Sequence, residues 1–441
     1  MKRMISSAIL GLLVVAAGTA QGQTLQSQTT WGAPGAEFSG GVATAPDGSA
    51  YLTGTSDSFA VDQFGAPDPR IFVLKFAPDG SLAWQRIWNG RSVHGKPAVT
   101  VANDGSVYVT GLSFINDDGN AVLLKFSAAG ALIWERVWGG SQAEGGTAVA
   151  TDAVDGSVYI GGRTTSFPPS STGLFIVKFN AAGTLLWQKI WDNVSGEAVT
   201  VAPDGSVYAA ATAPRPGGLA EFDVHALKIT PGGSLVWARS YRAGEVVDAR
   251  GGMAAAPDSG SIAIAGAIQA PAGGGIVDLA ALLVKIDANG NLIFDREFGG
   301  KGGEDASGVA IAQDGSVYMS GTSTSFGAGS QDAFVVRVQA NGKAGDAATW
   351  GGPGFETGGG VGLTSGGTVV LGATTTVPPP YAVLSAPRKI SNPRGGTLGA
   401  AAGALTDATG VVSNPNAGAT TTNGAITYSG NFEAALVRFI F

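Results

Sequence analysis

Along most of the chain, short runs that alternate small or branched apolar residues with polar ones return at a regular spacing, each bounded by Gly, Asp or Asn. Alternation with a period of two predicts strands, and no stretch has the 3.6-residue period of a long amphipathic helix. Stacked on the aromatic residue that heads each set, the units begin at Trp31, Trp88, Trp138, Trp191, Tyr241, Phe298 and Trp350. The intervals are 57, 50, 53, 50, 57 and 52 residues. That length suits a four-stranded propeller blade with its loops. Seven units predict an all-β, seven-bladed β-propeller with four-stranded blades.

Within a unit, strand one is small and apolar, as in GGVATAP (40–46), AVTVAP (198–203) and GVAIAQ (308–313). Such residues suit the crowding around a propeller axis. An Asp-Gly pair follows at 47–48, 104–105, 155–156, 204–205 and 314–315, and predicts a two-residue type I′ hairpin. Strand two reads SVYVTG (106–111) or SVYMSG (316–321), and a variable loop leads to strand three. A second Gly turn then leads to strand four, which carries the tryptophans. Trp84 with Trp88, Trp134 with Trp138, and Trp187 with Trp191 are four apart and share one strand face. All 9 tryptophans occupy one of these two repeated positions, which points to packing rather than to a binding platform.

Unit seven ends at Phe441 after a third-type strand, FEAALVRFIF, with no fourth. The missing one lies at the other end of the chain. In QTLQSQTTW (23–31), Thr24 and Leu25 align with Thr184 and Leu185, and Trp31 with Trp191. The N-terminal segment is therefore expected to join the last blade and close the ring, removing an exposed sheet edge.

The combined pattern GGVAVAPDGSVYVTGxT, a variable loop, DAFVVKFxxxG and LxWxxxW resembles the bacterial SBBP repeat, a family named for a seven-bladed β-propeller. The likeness covers residues 24 to 441 apart from one insertion. KAGDAATW (343–350) departs from it by lacking the inner aromatic, and Ala263 replaces the usual Tyr. The resemblance implies an exported propeller and no defined activity.

Composition narrows the setting. The 441 residues include 70 glycines and only 13% charged residues, with no cysteine to staple a fold or carry a lipid anchor. Met1 to Arg3 are basic, Ile9 to Ala17 form a short apolar run, and Gly18 to Ala20 are small. Together they read as a cleavable signal peptide over 1–22 and predict export to the periplasm, cell surface or medium. Without Lys2 and Arg3, 24 basic residues face 33 acidic ones. That balance argues against nucleic acid and against attraction to anionic lipid. The expected mature protein, 23–441, is a monomeric single domain without membrane insertion.

The tight turns should crowd one face and the variable loops the other, which is the face expected to work. Six residues past the leading aromatics lie Glu37, His94, Glu144, Glu197, Val247, Glu304 and Glu356, with Asp248 beside the exception. Strand three carries Lys75, Lys125, Lys178, Lys228, Lys285, Arg337 and Arg438. One reading makes the acids blade-to-blade ion pairs or backbone caps. The other makes Glu37, His94, Glu144, Glu197, Glu304 and Glu356 a ligand-binding ring at the channel mouth, asymmetric at His94 and Lys96. NDDGN (116–120) offers Asp117, Asp118 and Asn120 as weak ligands for calcium, the one cofactor considered.

Between the second and third strands of unit seven, about Thr374 to Gly430, lies a long Ala-, Gly-, Thr-, Pro- and Asn-rich insertion. It is read as a flexible loop, or else as a lid over the channel or a docking arm. GRSVHGKP (90–97) imitates a phosphate loop, but Pro97 stands where the hydroxyl should be and no strand and helix flank it. No HExxH, GxSxG or CxxC motif occurs. The expectation is an exported binding or scaffold propeller whose partner is an extracellular or envelope protein or a glycan. The alternative is a propeller hydrolase or lyase acting on a polysaccharide or small substrate.

Overall fold

The computed structural model describes residues 23–91, 95–114, 119–167, 171–215, 221–243, 246–270, 278–376, 383–385, 390–391, 396–421 and 432–441. The expected signal segment lies outside them. Seven four-stranded antiparallel blades surround a central channel, and the first strand of each is innermost. These inner strands are Glu37–Thr44, Ala98–Val101, Glu144–Thr151, Ser195–Val201, Gly252–Ala255, Glu304–Ile311 and Glu356–Leu363, numbered here as blades 1 to 7. Among the described residues no helix is long and apolar enough to cross a membrane.

Blade 7 runs Glu356–Leu363, Val369–Thr375, Glu433–Ile440 and Thr24–Trp31 from the axis outwards. Thr24–Trp31 pairs antiparallel with Glu433–Ile440 from Thr24↔Ile440 to Trp31↔Ala434. The N-terminal strand thus closes the ring as its sequence implies.

The first hairpins differ from the expected type I′ turn. In blade 1, Gly48 N donates to Ala45 O at 3.0 Å, and of the pair Asp47-Gly48 only Gly48 has a positive φ, +83°. That is a type I turn followed by a left-handed Gly. Pro46, with its fixed φ, suits the second position of such a turn, and Asp47 Oδ1 accepts the Ser49 amide at 2.8 Å.

The two aromatic positions of strand four differ in burial. Leading residues Trp31, Trp88, Trp138, Trp191, Tyr241, Phe298 and Trp350 are at most 1% exposed. The inner Trp84, Trp134 and Trp187 are only half-buried, packing against the second Gly turn of the next blade and donating to Ala128 O, Ala181 O and Pro231 O. Each leading ring is held by the next blade through the residue three places before that blade's own leading aromatic. Trp31 donates to Gln85, Trp88 to Glu135, Trp138 to Gln188, Tyr241 to Asp295 and Trp350 to Gln28, at 2.5–2.9 Å. Phe298 offers no donor, and the corresponding residue of blade 6 is Ala347, which offers no acceptor. Blade 3 alone is mismatched. Ala238 faces Trp191, whose indole N–H is buried without a partner among the described residues.

The insertion of blade 7 neither hangs free nor covers the channel over its described residues. It runs backwards around the rim and adds a fifth, outermost strand to each of the other six blades. Val383 pairs with Trp350 in blade 6, Ile390 with Phe298 in blade 5, and Leu398 with Tyr241 in blade 4. Leu405 pairs with Trp191 in blade 3, Val412 with Trp138 in blade 2, and Ala419 with Trp88 in blade 1. The steps are 7, 8, 7, 7 and 7 residues. At roughly 3.3–3.6 Å per extended residue, seven reach about 23–25 Å, enough to pass from one blade to the next. Lys189 Nζ meets Asp407 Oδ1 at 2.6 Å, and Gly418 N donates to Glu135, fastening this belt to side chains as well.

Candidate functional site

Along each inner strand one residue borders the channel at an equivalent register: Val42, Val99, Val149, Val199, Met253, Val309 and Val361. These β-branched side chains and one methionine form an apolar collar, in which Val99, Val149, Val199 and Val361 also pack into the cores between blades. On the loop side of it the inner strands bulge, at Thr147 in blade 3, Glu197 in blade 4 and Ser307 in blade 6. A bulge leaves one residue unpaired and re-aims its side chain, here into the channel. The resulting cavity of about 620 Å³ is lined on the loop side by Lys96, Glu197, Arg250 and Asp305. Blades 2, 4, 5 and 6 supply one charge each. Blades 1 and 7 contribute only Gly40, Gly41, Gly360 and their collar valines there.

Lys96 Nζ donates to Ser307 Oγ at 2.8 Å, so the ammonium reaches across the mouth from blade 2 to blade 6. Arg250 is anchored by Asp248, Nη2 to Oδ2 at 2.7 Å. The Asp305 carboxylate has no hydrogen-bond partner among the described residues. All four groups line the cavity, yet the surrounding strands partly desolvate them. Burial pushes Glu197 up to about 7, with nearby Asp248 adding to the shift and the Ser195 hydrogen bond, Arg250 and Arg163 opposing it. Burial raises Asp305 against the attraction of Lys96, and lowers Lys96 against the attraction of Asp305. Asp248 raises Arg250. The mouth therefore holds two cations and two carboxyl groups that share one cavity.

Of the described members of the expected ring, only Glu197 lies there. Glu37, Glu144, Glu304 and Glu356 are fully buried and do not line the cavity. Each carboxylate instead accepts the amide four residues before it: Ala33, Gly140, Gly300 and Gly352, at 2.7–3.1 Å. Each also accepts a hydroxyl from the end of strand two: Ser56, Thr164, Ser323 and Thr375. They cap the blade-to-blade loops. Equal spacing from the aromatic groups Glu197 with the capping glutamates, but the connection into blade 4 is three residues shorter. Val194 falls where the other blades place the capping Glu, and Glu197 moves to the bulge. His94, Asp117 and Asp118 lie outside the described residues. Asn120 begins strand three of blade 2, beside Gly139 and Glu144. Among the described residues no group of three or more acids or histidines is arranged to hold a metal ion.

The basic residues of strand three do not pair with the acids. They sit at the opposite end of the blades, over Tyr51, Tyr108, Tyr159, Tyr208 and Tyr318 at 5.1–5.9 Å. Lys125, Lys178, Lys228, Lys285 and Arg438 also donate to turn carbonyls of the following blade. Where Ala263 replaces Tyr, Lys285 stacks on Phe294 instead, at 5.8 Å.

Arg250 and Asp305 escaped the sequence reading. The signal that could have found them is the collar: Lys96 and Arg250 stand three places before their collar residues, Asp305 four and Glu197 two.

The fold defines the class: an all-β, seven-bladed propeller closed by its N-terminal strand. No family model matches the sequence, and the comparison with curated proteins finds no match. Among solved structures, the chain is similar to the polysaccharide lyase Uly1 at 10% identity, over 94% of this chain and 99% of that one, with a TM-score of 0.48. It is similar to the S511A mutant of puromycin hydrolase at 15% identity, over 79% of this chain, with a TM-score of 0.47. It spans about half of that enzyme's length, 51%. The Dos1 propeller is 10% identical over 79% of this chain and 92% of its own, with a TM-score of 0.45. At these identities each likeness is one of fold.

Proposed function

We propose that the protein is an exported binding propeller of the SBBP-repeat kind, and that it holds a small polar ligand at the loop-face mouth of its channel. The observation that carries this reading is the mixed-charge cluster. Lys96, Glu197, Arg250 and Asp305 come from four blades onto one cavity above an apolar collar, while their counterparts in the other blades are uncharged. Ligand pockets combine apolar lining with a few convergent polar groups, and about 620 Å³ falls in their usual size range. Export rests on the basic, apolar and small-residue order of residues 1–20. Native mass spectrometry of the chain from residue 23, incubated with a small-molecule extract, tests the reading. Wild type should retain an adduct of small-molecule mass that K96M/D305N loses; the same adducts on both proteins, or none on either, would refute channel binding.

The hydrolase or lyase reading has one observation in its favour. Glu197, with a pKa of about 7, and Asp305, also raised, share the cavity, and a carboxyl group poised near neutrality suits general acid–base chemistry.

A further inference from the structure

The chemistry of the channel mouth narrows the class of ligand, on the reading that the channel binds one. Both signs meet at the mouth. Lys96 extends from blade 2 to a neutral hydroxyl, Ser307 Oγ at 2.8 Å, two residues from Asp305, with no carboxylate within ion-pair distance among the described residues. Asp305 in blade 6 attracts Lys96 yet has no hydrogen-bond partner among the described residues, and Glu197 in blade 4 rises from a bulge. Arg250 in blade 5 stands between them in sequence order and is tied to Asp248. A free anion would meet Lys96 favourably but face two carboxyl groups. A free cation would meet the reverse. A neutral sugar would leave Lys96 and Asp305 only their mutual attraction as it displaced water from them. Below the charges, the collar offers an apolar wall without hydrogen-bonding side chains.

We propose that the channel takes a zwitterionic aliphatic amino acid or short peptide. Its carboxylate is held by Lys96 and its ammonium by Asp305 and Glu197, while its aliphatic side chains rest on the collar. Binding replaces the ammonium–hydroxyl hydrogen bond of Lys96 to Ser307 by an ammonium–carboxylate one, in which both partners are charged. The same ligand would neutralise Asp305, the unpaired acid of the mouth. The arrangement discriminates by removal: blocking either ligand terminus leaves a channel-facing protein charge without its partner.

Titration calorimetry with the chain from residue 23 at neutral pH tests the proposal using four dipeptide probes. Leucyl-leucine should bind with one-to-one stoichiometry. N-acetyl-leucyl-leucine, lacking the ammonium, and leucyl-leucinamide, lacking the carboxylate, should each bind at least tenfold more weakly. Glycyl-glycine, lacking the aliphatic groups, should also lose at least tenfold. In the protein, D305N should erase the penalty for acetylation and K96M the penalty for amidation. Because the four probes are compared on wild type, a variant that fails to fold does not remove the test. Equal affinity for free and blocked leucyl-leucine, or no binding of any of them, overturns the zwitterion assignment. If cellobiose or another neutral sugar binds wild type and not K96M/D305N, the channel reading stands and the ligand class falls; if nothing binds and the mass-spectrometric adducts are also absent, both fall.

Discussion

Ala238 leaves one donor unmet in the set of blade-to-blade hydrogen bonds around the ring. Five leading aromatics donate to the acceptor that the next blade supplies, and the sixth contact matches Phe298 with Ala347. Trp191 is left with a buried, unpartnered indole N–H. Ala238→Gln restores the residue found in the same place at Gln85 and Gln188. It should stabilise the protein by about 1 kcal/mol, the usual net value of a hydrogen bond that satisfies a buried donor. Urea unfolding reads this, and an unchanged or lowered midpoint would show that the site cannot admit the longer side chain.

Glu197 makes the opposite kind of statement, since its carboxyl group is strained rather than satisfied. In the folded protein it holds its proton up to about pH 7; in the unfolded chain it releases it near the ordinary 4.5. Between those values the folded state binds the extra proton, so folding is progressively disfavoured as pH rises through this window. The full penalty above pH 7 is on the order of 2–3 kcal/mol. Glu197→Gln should therefore be more stable than wild type at about pH 8 and should lose that advantage by about pH 4.5. A variant less stable than wild type at the higher pH would mean that the carboxylate is well solvated or paired there.

At the scale of elements, the parts legible in the sequence are those that repeat. Seven leading aromatics count the blades, and the likeness of residues 23–31 to 183–191 reveals the closing strand, because each blade must bury the same wedge. The belt was not legible as structure. Its described strands are only two to four residues long, and their register is imposed by the open edges of finished blades rather than by their own alternation. Its spacing of about seven residues becomes visible only once Leu398, Leu405, Val412 and Ala419 are set opposite Tyr241, Trp191, Trp138 and Trp88. That Glu197 alone among the ring glutamates reaches the channel was hidden for a related reason: a connection three residues shorter shifts a side chain from a buried cap to a channel-facing bulge without altering the count from Trp191.

The belt lies close against the rings it covers. A methyl group on Gly410 would come within 2.4 Å of the Trp138 indole. Gly410→Ala should therefore lift Val411–Ser413 from blade 2, raising amide exchange there while the blade's inner strands keep their protection. Unchanged exchange in 411–413 would show that the belt yields without detaching.

At the scale of the whole molecule, repetition builds the scaffold and departures from it mark the site. Six strands of the belt cover blade edges, tight turns crowd one face, and capping glutamates hold the loops of the other. None of these devices needs a ligand. What distinguishes the loop-face mouth is that four inner strands depart from the small residues around them, each in a different way, and present two cations and two acids to a single cavity. The most direct test is thermal unfolding of wild type and K96M/D305N, each with and without a panel of zwitterionic peptides, neutral sugars and calcium. A ligand at about one hundred times its dissociation constant adds roughly 2.7 kcal/mol, which such a scan resolves. At least one compound should raise the midpoint of wild type and leave that of the double variant unmoved. A panel that shifts neither protein, or shifts both alike, would contradict a binding site at the channel mouth.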